Sequence, residues 1–317
     1  MDMVFFLLRH MFNFAVPLLL AALGCMISVR SGVNNIGLDG MMIMGAFFSV
    51  YFIRGTGLVF SGQGQLVIAI LISVAAGVII SAFHAFASIN LKANQIISGV
   101  AIATFAPAFA VFAARLITGE SIMNFNNTFL IAEVPVLGKI PIIGDIFFRK
   151  VYITTYIAAA IFIITTVVLY KTRFGLRLRS CGENPSASAS VGINVTRMRW
   201  IAVLLSGALC GLAGLAYVIP NSISFNGSVA GYGFLALAVM IFGEWDPIKI
   251  LGSALLFSVA MTLASTYSAI DFLNRLGIPS NFYKMLPYVM TLIIISIAKG
   301  GAKEPKAAGQ PFEVDAR

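Results

Sequence analysis

Trp200–Gly243 reads WIAVLLSGALCGLAGLAYVIPNSISFNGSVAGYGFLALAVMIFG and contains no Lys, Arg, Asp or Glu. Two apolar runs, 200–220 and 229–242, flank a polar link that includes Asn221 and Gly227. About 20 predominantly apolar residues let a helix cross the hydrocarbon core of a bilayer, and the first run has that length. The second is short, as a half-helix or re-entrant segment would be.

Outward from this stretch the whole chain has the same character. Of 317 residues, 59% are hydrophobic and 10% charged, with 21 Lys+Arg against 12 Asp+Glu and a net charge of +9. An ordinary soluble domain carries about 25% charged residues, so this composition cannot cover a water-soluble surface. The basic residues sit beside apolar runs, where they orient spans in a membrane, and nucleic-acid binding is set aside. Three cysteines cannot build a disulfide framework, and Cys25 and Cys210 fall inside apolar runs, so free thiols are expected. Ala22-Leu23-Gly24-Cys25 loosely has the form of a lipoprotein cleavage site, but Met26–Val29 continue the run as a span would.

The fold class expected is all-α, a polytopic membrane protein of about nine transmembrane helices, eight to ten with the short ones. The spans read as 11–29, 38–53, 66–89, 95–117, 151–170, 200–220, 229–242, 250–267 and 285–298. The transmembrane domain is then 1–298 and the tail 299–317, expected to lack fixed structure. Lys171, Arg173, Arg177, Arg179, Arg197 and Arg199 against Glu183 make the 171–199 loop cytoplasmic by the positive-inside rule. Counting spans from it puts Arg30, Lys92 and the tail with Lys299, Lys303 and Lys306 inside. Segment 118–150, where Glu120, Glu133 and Asp145 balance Lys139, Arg149 and Lys150, falls outside. The N-terminus also falls outside, with Arg9 and His10 on the less favoured side.

The pair 11–29 and 38–53, a long run joined through a Gly/Asn link to a short one, is echoed by 200–220 and 229–242. The second pair is offset from the first by five spans, so they cross in opposite senses, the punctuation of an inverted repeat of spans 1–4 and 6–9. Helices in lipid gain little from burying more apolar surface and pack through small residues. Gly207 and Gly211 share one face of span six, Cys210 and Gly214 the next, so this helix is expected at the centre. Pro17, Pro107 and Pro287 invite bends within their spans.

Motifs of soluble chemistry are missing. The chain has no Gly-x-x-x-x-Gly-Lys-Ser/Thr phosphate loop, no His-Glu-x-x-His and no Gly-x-Ser-x-Gly. His10 and His84 have no acidic neighbours within a turn and make a poor metal site. Ion-coupled carriers place charged groups mid-span; here the nearest candidates are Asp39, Glu244 and Asp246 at span ends. Asp39 is expected to cap its own helix, and Glu244 and Asp246 to lie in a surface loop. The scarcity argues that a partner supplies the energy, or that passage is passive. Asn184 reads as an N-cap with Pro185 at the first helical position, and Ser186–Ser190 as a short small-surfaced helix ended by Gly192, suited to a groove on a partner.

Asn34-Asn35-Ile36-Gly37-Leu38-Asp39-Gly40-Met41-Met42-Ile43-Met44-Gly45-Ala46 resembles the NIGLEGMMLLGA signature of permease subunits of bacterial nucleoside ABC importers, within the ribose and branched-chain amino-acid permease superfamily. Phe174–Arg179 with Gly182-Glu183-Asn184-Pro185 and Gly192-Ile193 is similar to that family's coupling-helix segment. Ser206–Gly214 and Ala230–Phe234 continue the similarity, which covers about residues 11 to 300. Asp39 stands where the family carries Glu, which shortens the carboxylate's reach, and Ala187-Ser188 replaces an Ala-Ala pair.

The resemblance implies a type II importer half in the bacterial plasma (inner) membrane, with a cytoplasmic C-terminus. Its partners would be a second permease subunit, a two-cassette ATPase that holds the ATP, and an extracellular nucleoside-binding lipoprotein. It implies no cofactor or metal in this chain and no catalytic residue. Gly182, Glu183, Asn184, Pro185, Ser186, Ala187, Ala189 and Gly192 would couple to the ATPase, and Asn35, Asp39, Asn94, Gln95, Ser98 and Asn221 are candidates to line the path. Ribose or another simple sugar is the alternative cargo for the same machinery. A passive channel or ion-coupled carrier is the alternative of another class.

Overall fold

Each apolar run folds as a helix; Asn94, Asn184, Asn194 and Asp246 cap helix starts, and left-handed Gly119 and Gly192 close two helix ends. The structure is a computed structural model that describes residues 2–57, 62–135, 138, 140, 143–270, 275, 278–297 and 304–312. Lys139, Lys299 and Lys303, used in the charge count, lie outside the described residues. In chain order the helices are α1 Asp2–Arg30, α2 Leu38–Thr56, α3 Gln63–Ala85 with a π turn over Phe86–Asn90, α4 Gln95–Thr118, α5 Ile143–Phe147 and α6 Ile153–Lys171. They continue as α7 Arg173–Glu183, α8 Pro185–Ser190, α9 Val195–Asn221, α10 Tyr232–Phe242, α11 Pro247–Thr266 and α12 Ser280–Ile297.

Among the described residues, 7 helices are long and apolar enough to cross a membrane: α1, α2, α3 with its π turn, α4, α6, α9 and α11. The two remaining expected spans, 229–242 and 285–298, coincide with α10 and α12, which are shorter at 11 and 18 residues. The protein is an all-α, multi-pass membrane protein. Helix α1 starts well before residue 11, because Val4, Phe5, Leu7 and Leu8 prolong the apolar run. Two antiparallel ribbons of two strands each were not anticipated: Met123–Asn124 pairs with Ser224–Phe225, and Ile131–Glu133 with Arg149–Val151.

The glycines of α9 set the packing. A methyl group on Gly207 would fall on Ser81, one on Gly211 on the Ser73 carbonyl, and one on Gly214 on the Met42 carbonyl. From the α3 side, Gly77 meets the Gly207 carbonyl, and from α2, Gly45 meets that of Gly211. Backbones at this separation exchange dispersion contacts that longer side chains would prevent. Helices α1, α2 and α9 thus form the buried centre, of which the small-residue faces of the sequence foretold α9. Helix α1 packs on α10 and α11, and α9 packs reciprocally on α2 and α3. By contrast α4 and α6 present Phe105, Phe112, Leu116, Ile163 and Ile164 outward, as lipid or another apolar subunit allows.

The ends of the bundle segregate by segment. At one end Arg9 donates from Nε to the Asp145 carbonyl at 2.8 Å, and Gln63 Nε2 donates to that of Phe129 at 2.9 Å. At the other, Arg30 donates from Nε and Nη2 to the Trp245 carbonyl at 3.1 and 2.9 Å, and Trp200 Nε1 donates to Asn90 Oδ1 at 2.8 Å.

Candidate functional site

The second end holds the two groups of residues singled out in the sequence. Asn184 Oδ1 accepts the Ala187 N–H at 3.0 Å, Pro185 occupies the first turn, and Gly192 at φ +83 follows the helix. Helix α8 forms where the cap and proline place it. Glu183, Asn184, Ser186 and Ala187 are exposed, Pro185 and Ala189 half-buried, and Gly192 exposed. Gly182 differs from the rest of the expected docking set. It is buried, a side chain there would strike the Arg30 carbonyl, and its own carbonyl accepts the Ala307 N–H at 2.9 Å. Its role is to hold α7 against α1 and the tail, and it offers a partner no surface.

The described part of the tail, residues 304–312, is folded where a lack of fixed structure was expected. Gly309 N–H donates to the Gly32 carbonyl at 3.2 Å, and the Gln310 carbonyl accepts Arg199 Nη1 at 2.8 Å. Three such bonds, with Pro305 and Ala307 buried, fasten the tail across the ends of α1, α7 and α9. Arg199, counted in the sequence as an orienting charge, is only 2% exposed. Burial pushes the neighbouring Cys181 thiol above its ordinary value, so it is kept neutral.

The path candidates separate into a cluster and outliers. Asn35 is buried in the break between α1 and α2, where its Nδ2 donates to Ser206 Oγ at 2.9 Å and its Oδ1 accepts Gly37 N–H at 3.1 Å. Gln95 Oε1 accepts the Asn34 N–H at 2.7 Å. His84, wholly buried, lies 3.0 Å from both the Asn34 carbonyl and Ser98 Oγ. Asn34, Asn35, His84, Gln95 and Ser98 therefore gather at the base of α2, α3 and α4. Asn34 and His84 are not among the path candidates read from the sequence; an interrupted helix beside a polar span end is the available signal. Asn94 caps α4, its Oδ1 accepting from Ile96 and Ile97 at 2.9 and 3.2 Å. Asn94 and Ser98 also line a wide apolar groove of about 810 Å³ between α3 and α4. Asn221 lies apart from the cluster, at the far end of α9, bonded to the Tyr217 carbonyl at 2.8 Å.

Asp39 is a cap, but not of its own helix. Its Oδ1 accepts the Gly233 N–H at 2.9 Å in the first turn of α10, whose Gly231 N-cap has no side chain to offer. The carboxylate also sits at the positive end of that helix dipole. Asp39→Ala should lower stability by about 0.5–2 kcal/mol, the range for losing a cap, while Asp39→Asn, which keeps an acceptor, should lose less. Thermal unfolding of the purified variants in detergent checks the order. Asp246 caps α11, accepting from Ile248 and Lys249 at 2.9 and 3.2 Å, and Glu244 pairs with Lys249. Burial acts to raise the Asp246 carboxyl, but hydrogen bonds from the Tyr170 hydroxyl and these two N–H groups outweigh it and hold it below its ordinary value. Both acids are thus engaged at a helix start, as a loop reading requires. Among the described residues no group of three His, Cys, Asp or Glu could hold a metal ion.

Residues 7–295 match the family described as branched-chain amino acid transport system / permease component. The chain is 41% identical to the nucleoside ABC transporter permease protein NupC of Lactococcus lactis subsp. cremoris over 96% of its own length and 95% of the relative's. It is 42% identical to the guanosine ABC transporter permease protein NupQ of Bacillus subtilis over 94% and 93%, respectively. Identity to the putative glucose ABC transporter permease protein TsgC13 of Haloferax volcanii is 34%, over 77% of this chain and 72% of that one. With its apolar helices, its family match over residues 7–295 and its near full-length similarity to permeases, the chain belongs to the branched-chain amino acid transport system permease family, as a membrane component and not the ATPase.

Proposed function

We propose that this chain is a permease subunit of a bacterial nucleoside importer in the plasma membrane, with its C-terminus and α7–α8 on the cytoplasmic side. The observation that carries the reading is the near full-length similarity at 41% and 42% identity to permeases named for nucleoside and guanosine transport. A two-cassette ATPase docks on Glu183–Gly192 apart from Gly182, a second permease covers exposed apolar surface, and an extracellular lipoprotein delivers the nucleoside. ATP is bound by the partner. Alternating access follows from moving α8 together with α7, whose Gly182 the tail ties to the ends of α1 and α9. The reciprocal packing of α1 on α10 and α11, and of α9 on α2 and α3, supports an inverted repeat in which each broken pair embraces the other. Segment 118–150 and Arg9 then face outward together.

The similarity to a glucose permease keeps a sugar as the second reading. Uptake of labelled nucleoside into vesicles containing the assembled transporter should require internal ATP and be unaffected by excess ribose or glucose. Uptake by this chain alone without ATP would instead make it a channel or carrier. Competition by sugar would move the cargo to the second reading.

A further inference from the structure

A cavity of about 390 Å³ opens at the same end as α8, between the last turns of α1 and α10 and the break before α2. Its walls are mainly apolar, among them Val29, Ile36 and Leu237, and their polar members include Asn34, Trp245 and Glu304. Two polar atoms on these lining residues have no hydrogen-bond partner among the described residues: the Trp245 Nε1–H, on a side chain 8% exposed, and Asn34 Oδ1. An open donor and an open acceptor on one apolar cavity are what an incoming ligand with both functions would satisfy.

The position of Trp245 is also costly for the backbone to maintain. Glu244 and Trp245 take φ values of 51 and 55, a left-handed pair without glycine. Arg30 clamps the Trp245 carbonyl with two N–H groups. Strain of this kind persists where surrounding contacts over-determine a conformation, and it clusters at ligand sites.

Resting on the nucleoside reading above, we infer that this cavity is a binding site for the base of a nucleoside at the α8 end of the path. The Trp245 N–H donates to a ring nitrogen or carbonyl of the base, and Asn34 Oδ1 accepts a base N–H. The apolar walls take the flat faces of the heterocycle. Binding pockets for small molecules span about 300–1,000 Å³, and this one, near the lower limit, suits a single nucleoside. A free sugar has no flat heterocycle to fill the space between Val29, Ile36 and Leu237.

The test is equilibrium binding of radiolabelled guanosine to the purified full-length chain in lipid nanodiscs, with ribose as competitor. The unmodified chain should bind saturably, and ribose should not displace guanosine. Trp245→Phe, which keeps a ring but removes the N–H, and Asn34→Ala should each weaken binding about tenfold. Trp200→Phe, at the other tryptophan and outside the cavity, should leave it unchanged. Absence of saturable binding, or equal affinity in the Trp245→Phe and Asn34→Ala variants, overturns the site. The vesicle assay separates this from the parent reading: ATP-dependent nucleoside uptake with unaltered variant binding removes the site and keeps the importer.

Discussion

Gly214→Val should leave little folded protein in the membrane, while Gly252→Ala should be indistinguishable from the parent. A Cβ at Gly214 lands on the Met42 carbonyl, backbone of α2 that cannot rotate away, whereas one at Gly252 in α11 meets nothing within 4 Å. Forcing extra volume into a closed interface typically costs 1–3 kcal/mol. A clash with main chain belongs at the upper end, so even Gly214→Ala should cost about 3 kcal/mol, or about 10 °C in unfolding midpoint. Separating α9 from α2 would also loosen the Asn35–Ser206 bond that holds the break between α1 and α2. Membrane yield and detergent melting of the three variants check the prediction. A Gly214→Val protein with normal yield and midpoint would refute close backbone contact as the basis of this fold.

The second large effect concerns energy transfer. Glu183→Arg should let the assembled transporter hydrolyse ATP while nucleoside uptake falls about tenfold or more, with the protein still folded. Glu183 is exposed beside the α8 cap, the lone acid among the six basic residues of its loop. Reversing its sign adds a further positive charge to a docking face, and like-charge juxtaposition across an interface costs several kcal/mol. Exposure predicts that stability is spared. Gly182→Ala, one residue earlier, should do the opposite and damage the fold, because that position is packed on the Arg30 carbonyl. Paired ATPase and uptake measurements on the complex separate the two; unchanged uptake per ATP in Glu183→Arg would remove α8 as the coupling element.

Elements with their own local signals were readable in advance. Asn184 and Pro185 state where α8 begins whatever surrounds it; Asn94, read only as a candidate for the path, proves to be the cap of α4. The spacing of Gly207, Gly211 and Gly214 marks a helix meant for close neighbours on several faces. The carboxylate of Asp39 was legible as a cap but not as the cap of α10, because its partner Gly233 is distant in sequence. Arg199 was read as an orienting charge, yet it is buried under the tail. The tail itself has a composition that gives no hint of docking, since its bonds run through backbone groups to Gly32, Gly182 and Arg199.

By itself the sequence determined that this is a many-helix membrane protein, roughly where its apolar helices run, and that a small-faced helix follows Asn184. Those features follow from hydrophobic runs long enough to span a bilayer and from caps that act within one turn. Only the tertiary structure decided which polar groups share a site. His84, Asn34 and Ser98 meet because a broken helix is pressed against α3 and α4. Trp245 faces a cavity because Arg30, from the other half of the chain, holds a strained turn in place. Contacts between residues far apart in the chain depend on how helices approach, and in lipid that approach is set by shape at the backbone, which a list of side chains does not contain.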